Sequence, residues 1–372
     1  MNALGIIFSD IYDWNMSELA SHRSVAAIPF GGRYRLVDFT LSNMVNSGLN
    51  KMCIITKSNY RSLMEHVGSG KDWDLSRKKG GILIFPPYAL GDNHGLFQGR
   101  LDALKRVLDY ISSSKEKYVV LSDCDMIYNI NYKDVIKFHE EKNAEITAVY
   151  TKTNIDRESS IHKILYTVNE YKRANDILVY PITEGEHNVG LNTWVINKDF
   201  LVILIYDAIA HNLKDFSYDV LAANVKTMKI YGYEYDGYYA HIDSLKSYYD
   251  NSMELLCMNK LNSLFYAKTG PIYTKIKDSP PTKYGNNADI KSSLIASGCT
   301  IEGSVYNSII FRGVEIGKNS VVKNSILMQH TTIGENTHLD SIITDTYALV
   351  KNDRVLLGYS SCPFFIKKYS II

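Results

Sequence analysis

No glycine stands between Gly5 and Gly31. The apolar run 3–8 reads as a buried strand. Residues 9–19, which follow it, hold three acids (Asp10, Asp13, Glu18) and neither a glycine nor a basic residue. A phosphate chain is cradled by backbone N–H groups, and glycine permits their close approach. Acids beside it repel it. The stretch therefore reads as a plain strand-to-helix connection with Asn15 or Ser17 as helix cap, or as a rearranged loop in which Trp14 stacks on a base.

Other absences bound the protein further. The net charge is +1, so no bulk field favours nucleic acid or an anionic membrane. The five cysteines (Cys53, Cys124, Cys257, Cys299, Cys362) include no C-x-x-C pair, which argues against a disulfide framework and against zinc. They read as reduced thiols of a cytoplasmic protein. No signal-peptide pattern opens the sequence, and no apolar run is long enough to span a membrane. With 372 residues, 45% of them hydrophobic and 22% charged, a soluble chain of more than one domain is expected.

Up to about residue 255, short runs rich in Ile and Val (3–8, 51–56, 81–85, 118–121, 145–150) alternate with amphipathic segments at 35–48 and 96–113. That alternation predicts an α/β domain with a doubly wound, mainly parallel sheet, whose ligands bind at the carboxyl ends of the strands. Residues 256–288 read as an extended linker because of Pro271, Pro280 and Pro281. From 289 to 372 an aliphatic residue followed by Gly-x-x recurs at multiples of about six, as in Ile316-Gly317 and Ile333-Gly334. This is the hexapeptide signature of a left-handed parallel β-helix, here of three to four coils.

Three segments together resemble one family. They are Phe30-Gly31-Gly32-Arg33-Tyr34-Arg35 with Asp38-Phe39 and Leu41-Ser42-Asn43, then Phe97-Gln98-Gly99-x-x-Asp102-Ala103, then the C-terminal repeats. Over nearly the whole chain they are similar to bacterial glucose-1-phosphate adenylyltransferase (ADP-glucose pyrophosphorylase), which joins ATP and glucose 1-phosphate for glycogen synthesis.

The resemblance also shows which expected groups are missing. The family's glycine-rich loop is absent, and its following lysine aligns with Val25. One of its two Mg²⁺ carboxylates aligns with Asp125, two residues after Asp123. The other aligns with His241, a poor ligand for a hard cation, although Asp243 lies two residues on. The lysine that holds the sugar phosphate has no counterpart in 177–185. Gln98 and Gly99 stand where the family reads adenine. His22, Arg23, Arg33 and Arg100 remain as candidate contacts to a phosphate or effector. Arg23 and Arg33 read equally as salt-bridge residues, and Arg100 as a solvated helix start.

This pattern resembles the non-catalytic, regulatory-subunit branch of the family. It implies little or no activity alone, no tightly bound cofactor (Mg²⁺ if activity remains) and a heterotetramer with the catalytic subunit. A phosphorylated-sugar effector is a further implied partner. Two other readings stay open: an active sugar-nucleotidyltransferase with a rearranged site, and an acyltransferase built on the β-helix, for which His330 and His338 lack a recognisable partner.

Overall fold

The computed structural model describes residues 2–9, 16–87 and 97–372. The segment containing Trp14 and Asn15 lies outside them. A short helix begins at Ser17 itself with Met16 at its N-cap, so Ser17 is its first residue rather than its cap.

The N-terminal domain is built on a nine-stranded mixed sheet. Ala3–Phe8 lies at its centre, wholly buried, between Lys51–Ile55 and Tyr118–Asp123, both parallel to it, and Gly81–Phe85 extends the parallel half. On the other side the long strand Gly185–Asn197 runs antiparallel to Tyr118–Asp123 and to Ile146–Ile155, and carries the rest of the sheet. Phe8 is in register with Ile55 and with Asp123, so three parallel strands end together and bring Asp123 to that edge. A separate two-stranded antiparallel ribbon, Met126–Tyr128 with Tyr239–His241, places His241 opposite Met126 and so beside Asp125.

The helical pattern at 96–113 resolves into two short helices, Arg100–Lys105 and Leu108–Ser112. The expected extended linker opens instead with a helix, Met258–Phe265. All three prolines that argue for extension lie beyond that helix, so nothing in its own sequence breaks it.

The C-terminal domain has three parallel five-stranded sheets, one per side of a solenoid, and therefore five coils rather than three to four. The side starting at Lys283–Tyr284 stacks Tyr284, Ile301, Ile316, Ile333 and Val350. Asn and Asp side chains form ladders along its corners, such as Asn319 to Asn336 (3.2 Å) and Asn336 to Asp353 (3.1 Å).

The two domains share one apolar core. Val25, Phe30, Phe39 and Tyr248 pack in the same cluster as Phe311, Ile326 and Met328 of the coils. Among the described residues no helix is long and apolar enough to cross a membrane.

Candidate functional site

The block 30–43 is built into the packing of the domain. Asp38 accepts a hydrogen bond from the Arg35 backbone N–H (3.0 Å), which fastens the first turn of the helix Leu36–Asn46 to the residue before it. Its other oxygen meets Nε2 of buried His66 at 2.6 Å. Asn43, also buried, donates to the Tyr128 carbonyl (2.9 Å) and accepts from the Ile130 N–H (3.2 Å). Ser42 accepts from the Tyr273 N–H at 2.8 Å, and Tyr34 stacks on Phe265 with ring centres 4.8 Å apart. The block thus fastens the sheet domain to the linker.

Val25, where the family's lysine is expected, is 3% exposed and belongs to the shared interdomain core. Two of the candidate phosphate contacts are committed elsewhere. Arg23 is buried and reaches across the domain seam to Oδ1 of Asp345 at 2.6 Å. Arg100 is 1% exposed, which corrects its reading as a solvated helix start. Its guanidinium lies over the Trp194 ring (5.1 Å) and makes a two-pronged contact with Asp123, Nε to Oδ1 at 3.1 Å and Nη2 to Oδ2. A planar fork matches a carboxylate in this way, and an aromatic face accommodates it. Arg33 is exposed and bonds the Tyr34 hydroxyl (2.6 Å), and His22 is exposed.

Gln98 and Gly99 are tied to Lys214. The Lys214 ammonium donates to Oε1 of Gln98 at 2.7 Å, and a Cβ on Gly99 would stand 2.5 Å from the Lys214 carbonyl oxygen. Only glycine fits there.

The remaining polar residues converge at the end of the two-stranded ribbon. His241 is bracketed by carboxylates: Nε2 lies 3.4 Å from Asp125 and Nδ1 lies 3.4 Å from Asp243. Sequence reasoning missed Lys163, whose ammonium is 3.4 Å from His241 Nδ1 and which is 7% exposed. The Lys163 carbonyl accepts from the Tyr180 N–H (2.9 Å), so this lysine lies against the segment that lacks the sugar-phosphate lysine. The one signal in the sequence was its place directly before the strand Ile164–Val168. His241, Lys163 and Asp243 line an open cleft of about 670 Å³ with Tyr239, Asn251 and Glu254.

Burial sets the electrostatics. It pushes Asp123 up to about 6, against the pull of Arg100. Burial lowers Lys163, with Asp243, Asp156 and Asp125 opposing. Burial also pushes Asp243 up, but His241 and Lys163 outweigh it and hold the carboxyl below its ordinary value.

The Mg²⁺ implied by the resemblance does not fit these residues. Mg²⁺ takes an octahedron of oxygens, and here an imidazole stands between Asp125 and Asp243 while Asp123 is held by a guanidinium. Among the described residues no group of three or more His, Cys, Asp or Glu is arranged to hold a metal ion. In the β-helix, His330 stacks on Tyr347 with ring centres 5.0 Å apart, within an aromatic ladder that Tyr369 continues.

Comparison with known proteins agrees with this architecture. The nucleotidyl transferase family profile matches residues 15–255, and a GlmU-like C-terminal hexapeptide profile matches 280–360. The chain is 35% identical to the glycogen biosynthesis protein GlgD of Bacillus subtilis (strain 168), over 98% of this chain and 95% of that one. It is 37% identical to the GlgD of Geobacillus stearothermophilus, over 86% and 82%. Glucose-1-phosphate adenylyltransferase of Thermosipho africanus is 32% identical over 87% and 78%. The chain belongs to the nucleotidyl transferase family, in the group that unites glucose-1-phosphate adenylyltransferases with GlgD-type glycogen biosynthesis proteins.

Proposed function

We propose that this protein serves glycogen biosynthesis as a regulatory subunit of glucose-1-phosphate adenylyltransferase, with little or no activity of its own. The observation that carries the reading is the fate of the charged positions. Val25 is a core residue, His241 lies between the two acids, and Arg100 is spent on Asp123. Transfer of a nucleotidyl group depends on positioning and on neutralising phosphate charge. Each lost contact of that kind costs roughly 3 kcal/mol of barrier, though such losses need not add.

A chain that keeps its fold without its chemistry keeps surfaces. The helix Lys198–Ala210 exposes Ile203, Tyr206 and Ile209, and the last coil exposes Val355, Leu357 and Phe364. These support a hetero-oligomer with the catalytic subunit, taken here as a tetramer in the cytoplasm. A phosphorylated-sugar effector, whose signal passes to that subunit, belongs to the same reading.

Lys163 favours a second reading. It stands beside the segment that lacks the sugar-phosphate lysine, so an active enzyme with a rearranged site could recruit it. The isolated chain, supplied with ATP, glucose 1-phosphate and Mg²⁺, separates the two readings. ADP-glucose formation at or near background supports the regulatory reading. Turnover within about tenfold of a typical enzyme rate of roughly 10 s⁻¹ supports the active enzyme.

A further inference from the structure

Three carboxylates gather where the sheet and the two-stranded ribbon end, and each faces a guanidinium or imidazole of the protein itself. Asp123, 3% exposed, is gripped by Arg100, which is pinned from the other side by the Trp194 ring. Asp125 and Asp243 sit on opposite sides of the His241 ring, and Lys163 approaches the same ring nitrogen as Asp243. Arg100, His241 and Lys163 come from three separate parts of the chain: the start of the helix Arg100–Lys105, the ribbon strand Tyr239–His241, and the turn before Ile164–Val168.

We propose that these three side chains have taken over the place and the electrostatic duty of a divalent cation, so that the site is held together by the protein's own basic side chains and closed to metal. The proposal rests on the reading of a chain without chemistry of its own, and it explains how such a chain keeps buried acids that would otherwise repel one another. An unpaired carboxylate as deeply buried as Asp123 is strongly destabilising, and the half-buried Asp125 and Asp243 add their charges beside it; a metal ion or a set of basic side chains can remove that cost. The structure contains the basic side chains. One feature of a metal site persists: Oδ1 of Asp125 is buried and has no hydrogen-bond partner among the described residues. A site re-opened by substitution therefore has an oxygen ready for an ion.

The test is binding of Mn²⁺ alone to the full chain, followed by electron paramagnetic resonance of the free ion and by thermal melting. The wild type should show no saturable binding below millimolar concentration and no shift in melting temperature. The double substitution His241→Asp with Lys163→Met places a further carboxylate between Asp125 and Asp243 and removes the nearest ammonium. It should bind Mn²⁺ at least about tenfold more tightly than the wild type and gain melting temperature with the ion. His241→Asp alone should show the same gain in weaker form, and it serves if the double variant does not fold. Saturable micromolar binding to the wild type overturns the proposal, as does a folded variant with no gain. Neither readout involves ADP-glucose. A chain that is silent yet binds Mn²⁺ defeats this inference and leaves the regulatory reading standing; a chain that turns over defeats the regulatory reading.

Discussion

The guanidinium of Arg23 and the carboxylate of Asp345 meet at 2.6 Å across the seam between the sheet domain and the β-helix, both almost fully buried. Asp345 also accepts from the Thr346 N–H at 2.6 Å, which fixes the corner of the coil that receives the arginine. With the shared apolar core around Tyr248 and Phe311, this pair makes the two domains one packed unit.

The first prediction follows from that pair. Arg23→Met leaves a buried carboxylate without its counter-ion and should cost about 3–5 kcal/mol. The double substitution Arg23→Met with Asp345→Asn removes both charges and should recover most of that loss. Urea denaturation of the three proteins measures it. A single variant as stable as wild type would show that the contact does not hold the seam.

Asn43 should prove structural. Its amide satisfies a buried carbonyl at Tyr128 and a buried N–H at Ile130. Asn43→Ala orphans both and should cost roughly 3 kcal/mol. If the variant keeps wild-type stability but loses its effect on a catalytic partner, the retained block has a signalling role instead of a packing one.

Acid should weaken the fold through His139. The ring is buried, with Nδ1 2.8 Å from the Thr147 hydroxyl, and burial lowers its pKa from 6.5 to about 4. The folded value lies below the unfolded one, so protonation opposes folding. The stability this group contributes is complete above about pH 6.5 and drains away as pH falls through 4, by up to roughly 3 kcal/mol. His139→Gln should remove that component, leaving a shallower decline between pH 7 and pH 4. Parallel stability curves for the two proteins would refute it.

Much of the fold was legible because it rests on local patterns. The first strand is continuous apolar sequence, and the β-helix repeats its aliphatic–glycine phase. The outer coils were undercounted because the first puts Tyr284 where inner coils carry an aliphatic residue, and the last departs from the phase. The candidate site was legible by what it lacks: the identities of Val25 and His241 suffice. Arg100 and Lys163 were not legible. An arginine at a helix start is ordinarily solvated, and only the fold brings Asp123 and Trp194 around it. Lys163 needed the start of the strand Ile164–Val168 and the two-stranded ribbon, 78 residues apart in sequence at the His241 contact, to be placed together.

The most direct measurement mixes this chain with the catalytic glucose-1-phosphate adenylyltransferase of the same organism. Size-exclusion with light scattering reads assembly, and ADP-glucose formation reads the effect. A regulatory subunit predicts a new, larger species and a changed turnover or effector response of the catalytic chain. Independent elution, with kinetics identical to those of the catalytic chain alone, would contradict it.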